Sequence, residues 1–176
     1  DAGRAGALID AGVDAGATQV SGPSLSVADQ RGLYEKALGL AVPEVTVCIL
    51  DRDRNTPYVD QVRAAGSRIR FISDGDVAGA VLAGLPNTGI DMLIGIGGSP
   101  EGVVTACAMK SIEGDLQCKL WARGEEDYRY ASEHGIDMNR ILTIDDLVTS
   151  DDVCFAASGV TSGDLLQGIE YQSGGA

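Results

Sequence analysis

Four short runs of β-branched and aliphatic residues constrain the fold most strongly: Val45–Leu50, Ile69–Ile72, Met92–Ile96 and Val153–Ala157. Each is apolar almost throughout, the pattern of a strand buried on both faces rather than one with a wet side. Between them, residues 57–66, 76–85 and 100–111 carry helical periodicity and have the length that a right-handed crossover between parallel strands requires. The expected fold class is therefore α/β, a layered and mostly parallel sheet with flanking helices. Residues 115–121 suit a further strand ending at Trp121, and residues 124–134 a charged, exposed helix. Asp145, Asp146 and Leu147 suit the start of a short one.

The 176 residues fit one core of ordinary size, and the 5% aromatic content leaves it to be filled mostly by Val, Ile, Leu and Ala. A formal charge of -13 repels nucleic acid phosphates and anionic membrane surfaces, so neither is an expected partner. No apolar stretch approaches the roughly 20 residues that span a bilayer, and the start at Asp1 has no signal-like pattern. Cys48, Cys107, Cys118 and Cys154 show neither a C-x-x-C pair nor zinc spacing. They read as small buried hydrophobes in a reducing, cytoplasmic setting. Before them, residues 1–28 are rich in Ala and Gly, with Ala5–Val13 suited to a short helix and Gln19–Gly22 to a weak strand.

Each of the first three strands runs into a polar or Gly-rich loop just before a helix, and ligands of parallel sheets bind at that edge. In Asp51-Arg52-Asp53-Arg54-Asn55, two alternate guanidinium groups can hold a phosphate through forked hydrogen bonds. The same arginines can equally neutralise Asp51 and Asp53 on a solvated loop. In Ser73-Asp74-Gly75-Asp76, carboxylates stand beside a helix start, where neighbouring sugar hydroxyls can donate to them and Gly75 lets the backbone come close. Helix capping by Asp74, with Asp76 favouring the dipole, explains the same residues. In Gly95–Gly102, Pro100 fits the first helical position and Glu101 the first turn, and the exposed amides suit an anion. Alternatively Glu101 provides one oxygen ligand to a divalent cation; ordinary turn chemistry accounts for the glycines as well. Ser158–Asp164 can complete the same rim, and His134 reads as a solvated residue at a helix end.

Taken in order, these segments resemble the class II fructose-1,6-bisphosphatases, including cyanobacterial enzymes that also act on sedoheptulose 1,7-bisphosphate. The blocks are Val45–Arg52, Ala64–Arg68 leading to Ile72–Ala80, Gly95–Val103, Leu142–Val148 and Ala156–Leu166, within a similarity from about Lys36 to Ala176. The resemblance implies a Mg2+- or Mn2+-dependent hydrolase of carbohydrate metabolism, a phosphatase that removes the 1-phosphate of fructose 1,6-bisphosphate in gluconeogenesis or the Calvin cycle. It implies substrate contacts at Arg52, Asp53, Arg54, Asp74, Gly75, Asp76 and Gly98, and a metal ligand at Glu101.

Two positions depart from the family's usual pattern, Asp53 standing where it has Pro and Asn55 where it has His. The family's metal-binding acids and Glu-Gly-Thr segment have no match in residues 1–35. A lone Glu does not build a two-metal site, so the expectation is the sugar-bisphosphate-binding part of such a phosphatase, incomplete as an isolated chain. Residues 5–41 are instead similar to part of the SIMPL-domain interaction proteins, which gives an expected division into an N-terminal helix-strand-helix segment, 1–35, and a phosphatase-like α/β domain, 36–176. That overlap supports the rival expectation of a non-catalytic interaction module or a recombined chimera. Apolar strands at a sheet edge favour self-association, so a homo-oligomer is expected.

Overall fold

A computed structural model describes residues 9–10 and 41–170. Its main sheet has four parallel strands in the order β1-β4-β2-β3. These are β1 (Ile9–Asp10), β2 (Thr46–Leu50), β3 (Arg68–Ile72) and β4 (Met92–Ile94). The crossovers are α1 (Thr56–Ala65), between β2 and β3, and α2 (Asp76–Gly84), between β3 and β4. After β4 comes α3 (Ser99–Ser111), the longest helix among the described residues. A second, antiparallel pair joins β5 (Gln117–Cys118) to β6 (Leu142–Thr143), with α4 (Glu125–Glu133) between them and α5 (Ile144–Leu147) after.

Alternation along the strands divides the core into two layers, because successive side chains of a strand point to opposite faces. Val47, Ile49, Met92 and Ile94 pack with Val59 and Val62 of α1 on one face. On the other, Cys48 and Leu93 pack with Ala80, Leu82 and Ala83 of α2 and with Ala106 and Met109 of α3. Burying Ile49 and Ile94, both under 3% exposed, contributes about 1.5–3 kcal/mol each. This is the layered α/β architecture that the apolar runs predict, with the sheet covered on both sides.

Several local expectations need correction. β3 is an edge strand among the described residues, so Arg68, Arg70 and Phe71 are exposed rather than buried on both faces. The short helix expected over Ala5–Val13 gives way at Ile9–Asp10 to a strand, because these residues extend to pair with Leu93 and Ile94 and so occupy the outer edge of β4. Val153–Ala157 forms no strand. No sheet edge pairs with it among the described residues; Val153 instead packs beside the core and Phe155 turns toward a cleft. The strand expected over 115–121 shrinks to β5, and Trp121 is left half-exposed.

Cys48 and Cys118 are buried as expected, whereas Cys107 is only partly covered and Cys154 is exposed. His134 ends α4 in the open, stacked on Tyr130 with ring centroids 3.9 Å apart. No helix among the described residues is long and apolar enough to cross a membrane. The weak strand expected at Gln19–Gly22, like nearly all of the expected N-terminal segment 1–35, lies outside the described residues.

Candidate functional site

Parallel strands deliver their following loops to one edge, and β2 lies between β3 and β4. The three loops singled out in the sequence are therefore neighbours, with the Arg52–Arg54 segment in the middle. The Asp51 amide donates to the Ile72 carbonyl at 2.8 Å, which ties the β2 loop to the end of β3.

In the middle loop, Arg52 is extended and Asp53–Asn55 form a 3-10 turn. The alternation of an extended chain therefore does not set the directions of the two arginines. Arg52 Nη1 donates to the Asp51 carbonyl at 2.7 Å, while Arg54 Nε donates to the Ile96 carbonyl at 2.8 Å. The Arg54 bond to the β4 loop is made through Nε rather than through the terminal nitrogens. Asp53 is exposed at the start of the turn.

In the β3 loop, Gly75 and not Asp74 stands at the N-cap of α2, with φ +83° and no side-chain cap bond. That left-handed backbone suits glycine and disfavours a β-carbon. Asp74 is exposed and Asp76 half-buried in the first helical turn. Beside them opens a cleft of about 760 Å³, walled on its far side by Phe155, Ser158, Val160 and Asp164. The Ser158–Asp164 rim thus does face Asp74 and Gly75. An Arg70–Asp164 ion pair of 2.7 Å fastens it to β3.

In the β4 loop, Gly98 is the N-cap of α3, with Pro100 and Glu101 in the first turn. Glu101 is exposed, yet its carboxylate folds back over Gly98: a β-carbon at position 98 would lie 2.1 Å from Glu101 Oε2. Among the described residues no three His, Cys, Asp or Glu side chains gather to hold a metal ion. Glu101 supplies one oxygen-donor group of the kind Mg2+ or Mn2+ takes, and the described donor set does not make a two-metal centre.

The sequence offered no role for Asn55, which the structure places at the junction of the loops. It is fully buried; its Nδ2 donates to the Leu50 carbonyl at 2.8 Å and its Oδ1 accepts from the Ile96 amide at 2.9 Å. Its position just before Thr56-Pro57 matches a helix N-cap, but the side chain makes no cap bond. The departure from the family's usual His marked the position without revealing its partners. Lys110 was missed as well: its Nζ, 2.9 Å from Asp145 and 3.0 Å from Asp151, pins the segment after β6 to α3, and these contacts raise its pKa.

Residues 13–176 match the family described as bacterial fructose-1,6-bisphosphatase, glpX-encoded. The match begins upstream of residue 36 and takes in much of the N-terminal segment. Fructose-1,6-bisphosphatase 1 class 2 of Escherichia coli (strain K12) is 36% identical over 159 residues, covering 83% of this chain and 47% of that protein. Fructose-1,6-bisphosphatase class 2 of Shigella flexneri shows the same 36% identity over the same shares. The chain thus spans about half the length of the curated relatives it matches.

Proposed function

The chain belongs to the bacterial, glpX-encoded fructose-1,6-bisphosphatase family, and on that premise we propose that its three loops form the sugar-bisphosphate-binding part of a phosphatase acting on the 1-phosphate of fructose 1,6-bisphosphate. Arg52 and Arg54 take a phosphate through charge-assisted hydrogen bonds, with Asp53 beside them. Asp74 and Asp76 accept from sugar hydroxyls, and Gly75 allows the backbone to approach. Gly98 offers close access at the start of α3, and Glu101 directs a carboxylate to Mg2+ or Mn2+. The setting is cytoplasmic carbohydrate metabolism, in gluconeogenesis or the Calvin cycle.

The observation that carries this reading is the fastening of Arg54 and Asn55 to one residue, Ile96, which brings the arginine loop against the loop of Gly98 and Glu101. Phosphate release from fructose 1,6-bisphosphate with added Mg2+ or Mn2+, beside calorimetric binding of the same ligand, tests it. Binding at micromolar to millimolar strength is expected of the 176-residue chain; no binding with either cation present would sink the reading.

A second reading, binding without turnover, is favoured by the donor count. Glu101 stands without two further metal-ligating side chains among the described residues. Binding with no phosphate release supports it, and metal-dependent release lost in Glu101→Gln decides for catalysis.

A further inference from the structure

Two successive residues of one loop hold both polar backbone groups of a single residue in another. Arg54 Nε reaches the Ile96 carbonyl and Asn55 Oδ1 receives the Ile96 amide. The Asn55 Nδ2 bond to the Leu50 carbonyl closes the arrangement onto the end of β2. Burying a primary amide is unfavourable unless its groups are paired, and here the pairing joins two loops instead of serving one. Asn55 and Thr105 are the buried polar residues among those described, and Asn55 is the one at this edge of the sheet. Gly95 packs directly beside it, and a β-carbon there would stand in ordinary contact, 3.4 Å from Asn55 Nδ2.

We infer that Asn55 is a positioning residue, one that fixes the loop of Gly98 and Glu101 against the loop of Arg52 and Arg54. The clamp keeps constant the separation between the backbone of the arginine loop and the start of α3, from which Glu101 extends. Reacting groups tolerate little error of this kind, a misplacement of about 1 Å costing on the order of 100-fold in rate. The functional side of the inference rests on the bisphosphate reading above; the clamp itself does not.

Amide hydrogen exchange on the 176-residue chain, read residue by residue by NMR, tests the clamp without any ligand. In Asn55→Ala, exchange at Ile96, Gly97 and Gly98 is expected to rise roughly tenfold or more, with Cys48 and Leu93 in the core strands unchanged. Asn55→Asp adds a pH readout. Its protonated carboxyl reproduces both bonds, donating O–H to the Leu50 carbonyl, whereas the ionised form sets a negative charge against that oxygen. Burial favours the protonated form, so local protection is present at low pH and lost as pH rises through the raised pKa. A side chain that merely fills space gives no such local profile.

If Asn55→Ala does not fold, Asn55→Asp compared with itself across pH carries the test. Unchanged protection at Ile96, or faster exchange spread evenly over β2 and β4, overturns the inference. Calorimetry with fructose 1,6-bisphosphate on the wild type and Asn55→Ala separates the two readings. Absent binding by the wild type overturns the functional reading and leaves the clamp to the exchange data. Equal affinity in both proteins overturns the positioning role, and an affinity at least about tenfold weaker in the variant supports it.

Discussion

Gly79 of α2 lies against Leu93 of β4 so closely that a β-carbon at position 79 would fall 2.7 Å from Leu93 Cδ1 and 3.2 Å from Cys48 Sγ. This contact sets how near the helix that follows the Asp74–Asp76 loop comes to the sheet. In an exposed helix, Gly→Ala gains about 0.8–1.0 kcal/mol of propensity. Here the added methyl overpacks a filled core, a strain of about 1–3 kcal/mol. Gly79→Ala is therefore expected to leave the protein no more stable and up to about 2 kcal/mol less so. Urea unfolding of both proteins measures this, and a clear gain in stability would show that α2 has slack that the geometry denies.

Asp74 separates ligand chemistry from helix chemistry. It is exposed and is not the N-cap of α2, a place taken by Gly75. Asp74→Asn is expected to change stability by less than about 0.5 kcal/mol, as surface substitutions usually do. If the carboxylate accepts from a sugar hydroxyl, the same variant weakens fructose 1,6-bisphosphate binding by about tenfold, since hydrogen bonds to charged groups are worth about 1.5–3 kcal/mol. Loss of stability with unchanged binding would return Asp74 to a role in the helix start.

What the sequence revealed of this fold follows from where the signal is local. β2, β4 and the three crossover-length helices stand out because an apolar run or a helical period is complete within each segment. The edge position of β3 is set by which strand lies beside which, and Arg68 and Arg70 flanking Ile69 were the one local hint of it. Val153–Ala157 has strand composition, yet a strand exists only against a partner, and none pairs with it among the described residues. The loops of the candidate site were legible as loops. The Asn55–Ile96 bond spans 41 positions of sequence, and no spacing rule connects an asparagine to a backbone amide that far away.

Burial sets the order in which the thiols react. The Cys48 thiol is pushed up to about 11, chiefly by desolvation, with Arg70 lowering it and Asp164 raising it by smaller amounts. Cys154 is exposed. With iodoacetamide at pH 8, Cys154 is expected to be alkylated first and Cys48 only under denaturing conditions, because the thiolate is the reactive form. The linkage has a definite sign. A folded-state pKa above the unfolded value of 9.0 stabilises the fold below pH 9, and that contribution is lost as pH climbs from 9 toward 11. Peptide mapping by mass spectrometry reads the order, and early labelling of Cys48 in the native protein would contradict its burial.

Gly98 and Glu101 give a test of the cation site that need not disturb the fold. An added β-carbon at position 98 meets Glu101 Oε2 at 2.1 Å, and that oxygen is the far end of a flexible side chain. Gly98 has an extended backbone, φ −84° and ψ 152°, which alanine adopts without strain. Gly98→Ala therefore displaces the carboxylate at a cost of less than about 1 kcal/mol in stability, below the roughly 1 kcal/mol at which point substitutions centre. If Glu101 serves the cation and its placement matters, Gly98→Ala and Glu101→Gln both weaken Mn2+-dependent binding of fructose 1,6-bisphosphate, by about tenfold or more, while unfolding midpoints stay close to wild type. Calorimetry with and without Mn2+ isolates the metal-dependent part, since a purely structural Glu101 would leave the difference between the two titrations unchanged. A Gly98→Ala protein with full Mn2+ dependence, beside a Glu101→Gln protein without it, would mean that the carboxylate acts from a position other than the one folded over Gly98.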